Sequence, residues 1–347
     1  MSIGKRIYTL DVVKILASIC IIFHHYQGEF GVQFSHFNFH NGRFYFGYLV
    51  ELFFIISGFF TFPTIKKIGT TEDFSHFFKK RCIRLLPINA ISAMAHCVVI
   101  FLFFNGIHVW GWVVSAFGMF AIDESFSIYN INAPCWYVSV LLICNIWFYC
   151  ITWWSKKKEI QPRWAYIIMV VLGLLIQHLD ISVPFFNSHT SRGYFAFFVG
   201  ILLHQFIEEH SISNKLQLCA VTIFISFSLV YLFKGHFISN GFIFLLTLFV
   251  YPSIIIICLS PICQKLFRFP ILGILGEVSF GMYLWHTPIF QFFTYINSKF
   301  DLKIPFHSVS MMIFSAGVIT FIGFISFYCI EKPISKYFSS KTLSKTP

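Results

Sequence analysis

Apolar runs long enough to cross about 30 Å of hydrocarbon recur along this chain, separated by short polar stretches. They fall at 7–26, 44–62, 85–104, 134–153, 164–179, 193–206, 216–233, 241–259, 271–296 and 309–330. The pattern predicts an all-α polytopic membrane protein, a bundle of about ten transmembrane helices with no stretch left for a soluble domain. A shorter apolar piece, 110–122, is expected to be interfacial or re-entrant. Composition agrees: 57% of residues are hydrophobic, 20% aromatic and only 11% charged, far from the soluble average.

The net charge of +11 suggests a nucleic-acid partner until its distribution is followed. Basic residues concentrate in alternate loops. One set holds 19 of them, in segments 5–6, 66–84, 156–163, 215, 265–268 and 332–345. The other set holds five, Arg43, Arg192, Lys234, Lys299 and Lys303, and Lys14 inside a helix completes the 25. By the positive-inside rule both termini are cytoplasmic, and no nucleic acid is expected. Asp11 and Lys14 interrupt the first segment and no small-residue cleavage site follows, so it reads as a retained helix and not a signal peptide. The ten cysteines form no C-x-x-C pair, so they read as packing residues, and no metal is expected. The chain reads as one domain, 1–338, with a short cytoplasmic tail at 339–347 and no appended soluble domain.

The polar residues inside the first apolar segment point to chemistry. At 100° per residue, Lys14 and His25 return to within about 20° of one another, roughly 16 Å apart along one helix face. Asp11 and Ser18 fall on the same stripe, whereas His24 points about 80° away from Lys14. An ionisable stripe inside a membrane helix marks a functional site by default.

Other segments add candidates. FFKKRCIRLLP places Arg81 and Arg84 three residues apart on a helix, able to clasp one polyanion; the plainer reading is an anchor beside lipid phosphates. Glu51, in VELFFIISGFF, reaches a depth similar to that of His25 and is read as orienting the imidazole, or as pairing structurally with Lys14 or sitting protonated in a polar cavity. Ser57-Gly58 reads as close helix packing. Trp136 and Tyr137 open the fourth helix where aromatic belts are common, and are either interfacial or substrate-facing. Ser279, Tyr283 and His286, at spacings of four and three, form a polar stripe in the ninth helix. Glu331-Lys332-Pro333 is expected to cap the tenth.

Together these segments resemble the acyltransferase-3 family of integral membrane acyltransferases. The family's first-helix pattern of a basic residue, ten others and a histidine is matched by Lys14 and His25, with Leu10-Asp11 before it. Its FF-x-x-SGF motif matches Phe53 to Phe59, its R-x-x-R-L-x-P matches Arg81 to Pro87, and its late S-x-x-x-Y-L-W-H and E-x-P match Ser279 to His286 and Glu331 to Pro333. Two departures stand out: Lys14 replaces the commoner arginine, and WYVSVLL lacks the acidic residue of some branches.

The resemblance implies transfer of an acyl group from cytoplasmic acyl-CoA, typically acetyl-CoA, to a hydroxyl of a cell-envelope or exported glycan, or of a lipid-linked sugar. It implies the setting of a bacterial plasma membrane. A thioester is already activated, so the enzyme chiefly holds it near the acceptor, removes a proton and stabilises an oxyanion. His25 is the expected general base and Glu51 its orienter. Arg81 and Arg84 are expected CoA phosphate ligands with Lys14 along the interior path, and Trp136, Tyr137, Tyr283 and His286 are expected to contact substrate. The competing class is a transporter or flippase of glycan or lipid-linked intermediates, which would favour inverted repeats and broken helices; neither is visible in the sequence.

Overall fold

The computed structural model describes residues 6–35, 37–40, 44–104, 106, 109–129, 131–235 and 240–343, and these are helical throughout apart from loops and two isolated bridges. Lys5, Arg43 and Lys345 of the charge pattern lie outside the described residues, as does the side chain of Lys341. Each of the ten apolar segments forms a helix. They are α1 (Tyr8–Phe30), α2 (Leu49–Thr61), α3 (Phe74–Phe104), α5 (Cys135–Lys157), α6 (Arg163–Leu179), α7 (Ser188–His210), α8 (Asn214–Lys234), α9 with α10 (Asn240–Leu245, Tyr251–Cys258), α12 (Pro270–Phe300) and α13 (Val309–Ser326). The 110–122 piece yields only α4 (Val109–Ala116), eight residues, too short to cross. A short α11 (Pro261–Leu266) precedes α12, and α14 (Lys332–Leu343) continues α13.

Seven of these helical segments are long and apolar enough to cross a membrane. The other three depart from the expected ten for separate reasons. Helix α6 has 17 residues, while α7 and α12 are long enough but carry polar groups, Arg192 and His189 in one and Ser279, Tyr283 and His286 in the other. Helix α5 is the bundle's centre, with 72% of its apolar window buried, and α8 lies at the periphery with 6%.

Small residues set the closest helix contacts, because lipid offers no hydrophobic drive and close backbone approach must supply the attraction. A methyl group added at Gly58 of α2 would lie 2.0 Å from the Phe197 carbonyl oxygen of α7, and one at Gly200 of α7 would lie 2.0 Å from the Ile55 oxygen of α2. The Ser57-Gly58 pair does pack as its residue types suggest.

Prolines explain the irregular turns. A proline lacks the N–H of the helix ladder and its ring collides with the carbonyl four residues back, so the turn before it widens. Wide turns occur at Leu246–Val250, just before Pro252, and at Phe327–Glu331, just before Pro333. Glu331-Lys332-Pro333 therefore does not cap a helix as expected: the wide turn runs directly into α14.

Candidate active site

The polar stripe of α1 is buried against α12, and the two helices meet at three levels. At the basic end, Asp11 lies against Gly276, where a side chain would strike the carboxylate at 2.3 Å. Midway, the Ser18 hydroxyl donates to the Ser279 carbonyl at 3.1 Å. At the far end, the His25 and His286 rings stack, with centroids 4.7 Å apart and planes 27° from parallel. Positions 11, 18 and 25 are spaced by seven, the repeat that keeps one seam facing a partner helix.

The two adjacent histidines part company here. His25 remains partly accessible and stacks on His286. His24 is 3% exposed, its Nδ1 donates to the Phe39 carbonyl at 2.7 Å, and its ring packs on His40 and Tyr45. It thus fastens the loop that follows α1, as does Gln27, which bonds Phe37 and Phe39 backbone groups.

Glu51 does not orient His25 and does not pair with Lys14. It is fully buried, and Arg192 of α7 donates to both carboxylate oxygens and, through Nη2, to the Gly47 carbonyl at 3.0 Å. The Arg192 guanidinium also sits 4.8 Å above the Trp136 ring, whose other contacts include His189, stacked at 5.2 Å. Arg192 is therefore no loop residue, although its place in the charge pattern counts it as one. The signal that places it correctly is Asn187, whose side chain accepts from the His189 and Thr190 backbone N–H groups while its own N–H is bonded by Thr190. That capping box starts α7 at Ser188, one turn before Arg192. His189 and Arg192 are the two site residues absent from the motif reading.

Outside the bundle, Glu124 ties its loop to the start of α7. Its carboxylate accepts from the Ser182 hydroxyl at 2.5 Å and the Ser188 hydroxyl at 3.0 Å. The Ser182 hydrogen bond above all, with help from Ser188, holds this carboxyl below the usual glutamate range.

Tyr137 and Tyr283 lie between the two ends. Their rings meet edge to face at 5.5 Å, Tyr137 shares a 3.1 Å hydrogen bond with Ser57, and Phe53 packs on both. Tyr283 belongs to the stripe Ser279, Tyr283, His286, and the carbonyl of Tyr283 accepts from His286 Nδ1 at 2.6 Å.

The cationic candidates gather at the basic end but differ in their commitments. Lys14 is paired with Asp11 at 2.5 Å, and Arg6 binds the other Asp11 oxygen at 2.8 Å. Arg81 donates through Nε to Asn145 at 2.9 Å and stacks over Phe77, so only part of its guanidinium is free of protein partners. Arg84 is exposed and lies within electrostatic range of Lys14, Tyr137 and the half-buried Glu331. The arrangement thus has two levels. Lys14, Arg81 and Arg84 stand at the basic end, and His25, His286, Glu51, Arg192 and Trp136 stand at the far end, with Tyr137 and Tyr283 between.

Two surface concavities, of about 630 and 320 Å³, contain none of these residues. Their aromatic and aliphatic linings, such as Trp147, Trp153 and Phe74 in the larger, suit contact with lipid.

A sequence profile of the acyltransferase domain matches residues 7–329, nearly the whole chain. No curated protein and no solved structure matches it. The chain belongs to the acyltransferase-3 family and is a membrane acyltransferase.

Proposed function

We propose that this acyltransferase-3 family member takes an acetyl group from cytoplasmic acetyl-CoA and transfers it to a hydroxyl of a cell-envelope or exported glycan in the bacterial plasma membrane. The observation that carries this reading is the two-level site on α1. A cationic end suits the phosphates of CoA, and an accessible imidazole stands about 16 Å further along the same helix face.

In this reading Arg81 and Arg84 hold the CoA phosphates, and Arg84, free of hydrogen bonds to described residues, is the first to engage. Lys14, neutralised by Asp11, shapes the path and does not act as a free cation. The pantetheine arm passes Tyr137 and Tyr283 toward His25. There the acceptor oxygen attacks the thioester carbonyl while His25 takes the hydroxyl proton. A C–O bond forms, the C–S bond breaks, and the sulfur leaves with the electron pair and is protonated from the imidazolium. The Tyr283 hydroxyl makes no hydrogen bond to a described residue and is the proposed donor to the developing oxyanion. Glu51 and Arg192 act on this centre by fixing α2 against α7, with Trp136 held beneath the guanidinium as an acceptor-facing aromatic surface.

The test uses membranes carrying the protein and radiolabelled acetyl-CoA, with mass spectrometry of envelope glycans from cells with and without the gene. Gene-dependent O-acetyl groups on glycan support the reading; labelled acetyl that never leaves CoA, or glycans identical in both strains, would overturn it.

A further inference from the structure

The acyl-transfer step uses one imidazole, yet two are stacked at the far end. His286 is fully buried, and its Nδ1 is tied to the carbonyl of Tyr283 at 2.6 Å. A carbonyl oxygen only accepts, so Nδ1 carries the hydrogen and Nε2 of the neutral ring carries the lone pair. That Nε2 has no hydrogen-bond partner among the described residues. Its direction follows from the same bond. Nδ1 faces back to the residue's own helix, so Nε2 points away from α12 in the plane of a ring whose face carries the stacked His25 at 4.7 Å. A buried acceptor left without a donor is costly, and a ligand hydroxyl would relieve that cost.

We infer that His286 is a specificity-determining residue whose Nε2 accepts a hydrogen bond from a second hydroxyl of the acceptor, adjacent to the one being acylated. This rests on the proposed function and narrows its substrate class to vicinal diols, such as neighbouring hydroxyls of one sugar ring. Two nearly parallel imidazoles present nitrogens a few ångströms apart, which suits two neighbouring oxygens. The fixed tautomer makes the site selective for a hydrogen donor and against an ether or ester at the second position. The transfer itself is unchanged: the attacking hydroxyl gives its proton to His25, and His286 neither gains nor loses one.

The test uses purified full-length protein in lipid nanodiscs, labelled acetyl-CoA, and envelope glycan isolated from cells lacking the gene. His286→Leu should raise the KM for glycan about three- to tenfold, the loss of one neutral hydrogen bond. It should leave the KM for acetyl-CoA within twofold and spread acetyl groups onto the neighbouring hydroxyl, as read by mass spectrometry. His286→Gln, whose amide oxygen accepts a hydrogen bond, should restore most of the glycan affinity. Thermal unfolding of each variant separates binding from folding. Unchanged glycan KM and regiochemistry in His286→Leu, or equal defects in Leu and Gln variants of native stability, would overturn the inference. A wild-type protein that transfers no acetyl to glycan would instead overturn the proposed function.

Discussion

Arg192 on α7 donates to both carboxylate oxygens of Glu51 on α2, inside the bundle and far from any basic loop. A buried pair of this kind is costly to break, because the remaining charge has no water to solvate it. Glu51→Ala or Arg192→Ala should each lower stability by about 3–5 kcal/mol, while the double variant should lose less than the sum of the two. Thermal unfolding in detergent measures this. Strictly additive losses would mean that the pair is not coupled.

The α2–α7 contact depends on the absence of two side chains. Gly58→Ala and Gly200→Ala should each destabilise the protein by about 1–3 kcal/mol, the usual cost of overpacking. The neighbouring Ser57→Ala, which removes only a hydroxyl bonded to Tyr137, should cost less. Yield and unfolding temperature in detergent give the order, and a Gly58→Ala protein as stable as Ser57→Ala would contradict the close approach.

Glu124 provides a pH-dependent clasp outside the membrane. Its folded-state carboxyl titrates below its unfolded value, chiefly through Ser182, so its contribution is present above the ordinary glutamate range and is lost as pH falls through the lowered folded value. Glu124→Gln should therefore reduce stability at neutral pH, and its difference from wild type should shrink as the solution is acidified below the glutamate range. Unfolding temperatures of both proteins across that range check the sign; a gap that widens in acid would refute it.

The 19-to-5 split of basic residues predicts that both chain ends lie in the cytoplasm. Removing Arg192 from the loop count sharpens the split, since that residue lies within α7 and is neutralised there. Lys157→Cys should be labelled by a membrane-impermeant maleimide only after permeabilisation, and Lys303→Cys in intact cells. The reverse pattern would invert the orientation.

Much of this architecture is legible in the sequence because length and hydropathy suffice to mark a helix in lipid. All ten apolar segments are helical, and the α1 stripe of Asp11, Ser18 and His25 does lie on one face. The partners of that stripe are less legible. Periodicity along one helix says which residues share a face and nothing about what packs there, so the Asp11–Gly276 and His25–His286 contacts emerge only in three dimensions. Glu51 illustrates the same limit: depth along two helices suggested His25, but the carboxylate turns to α7. Helices α7 and α12 fall outside the seven most apolar spans because the polar groups that enrich the site also lower their hydropathy. Arg192 is not legible as a bundle residue because a charge near a helix end looks like a loop residue until Asn187 and Thr190 are read as the cap.

His25 and His24 offer the sharpest contrast in the site, being adjacent in sequence and opposite in surroundings. The decisive measurement is acetyl transfer from labelled acetyl-CoA to envelope glycan, in membranes holding wild type, His25→Ala or His24→Ala at matched expression. Binding of CoA to each purified protein serves as the control. With His25 as general base, its loss should cut transfer about 10²- to 10⁴-fold while CoA binding persists, and His24→Ala should lose far less, through a loosened Phe39 loop alone. Near-normal transfer by His25→Ala would contradict the account.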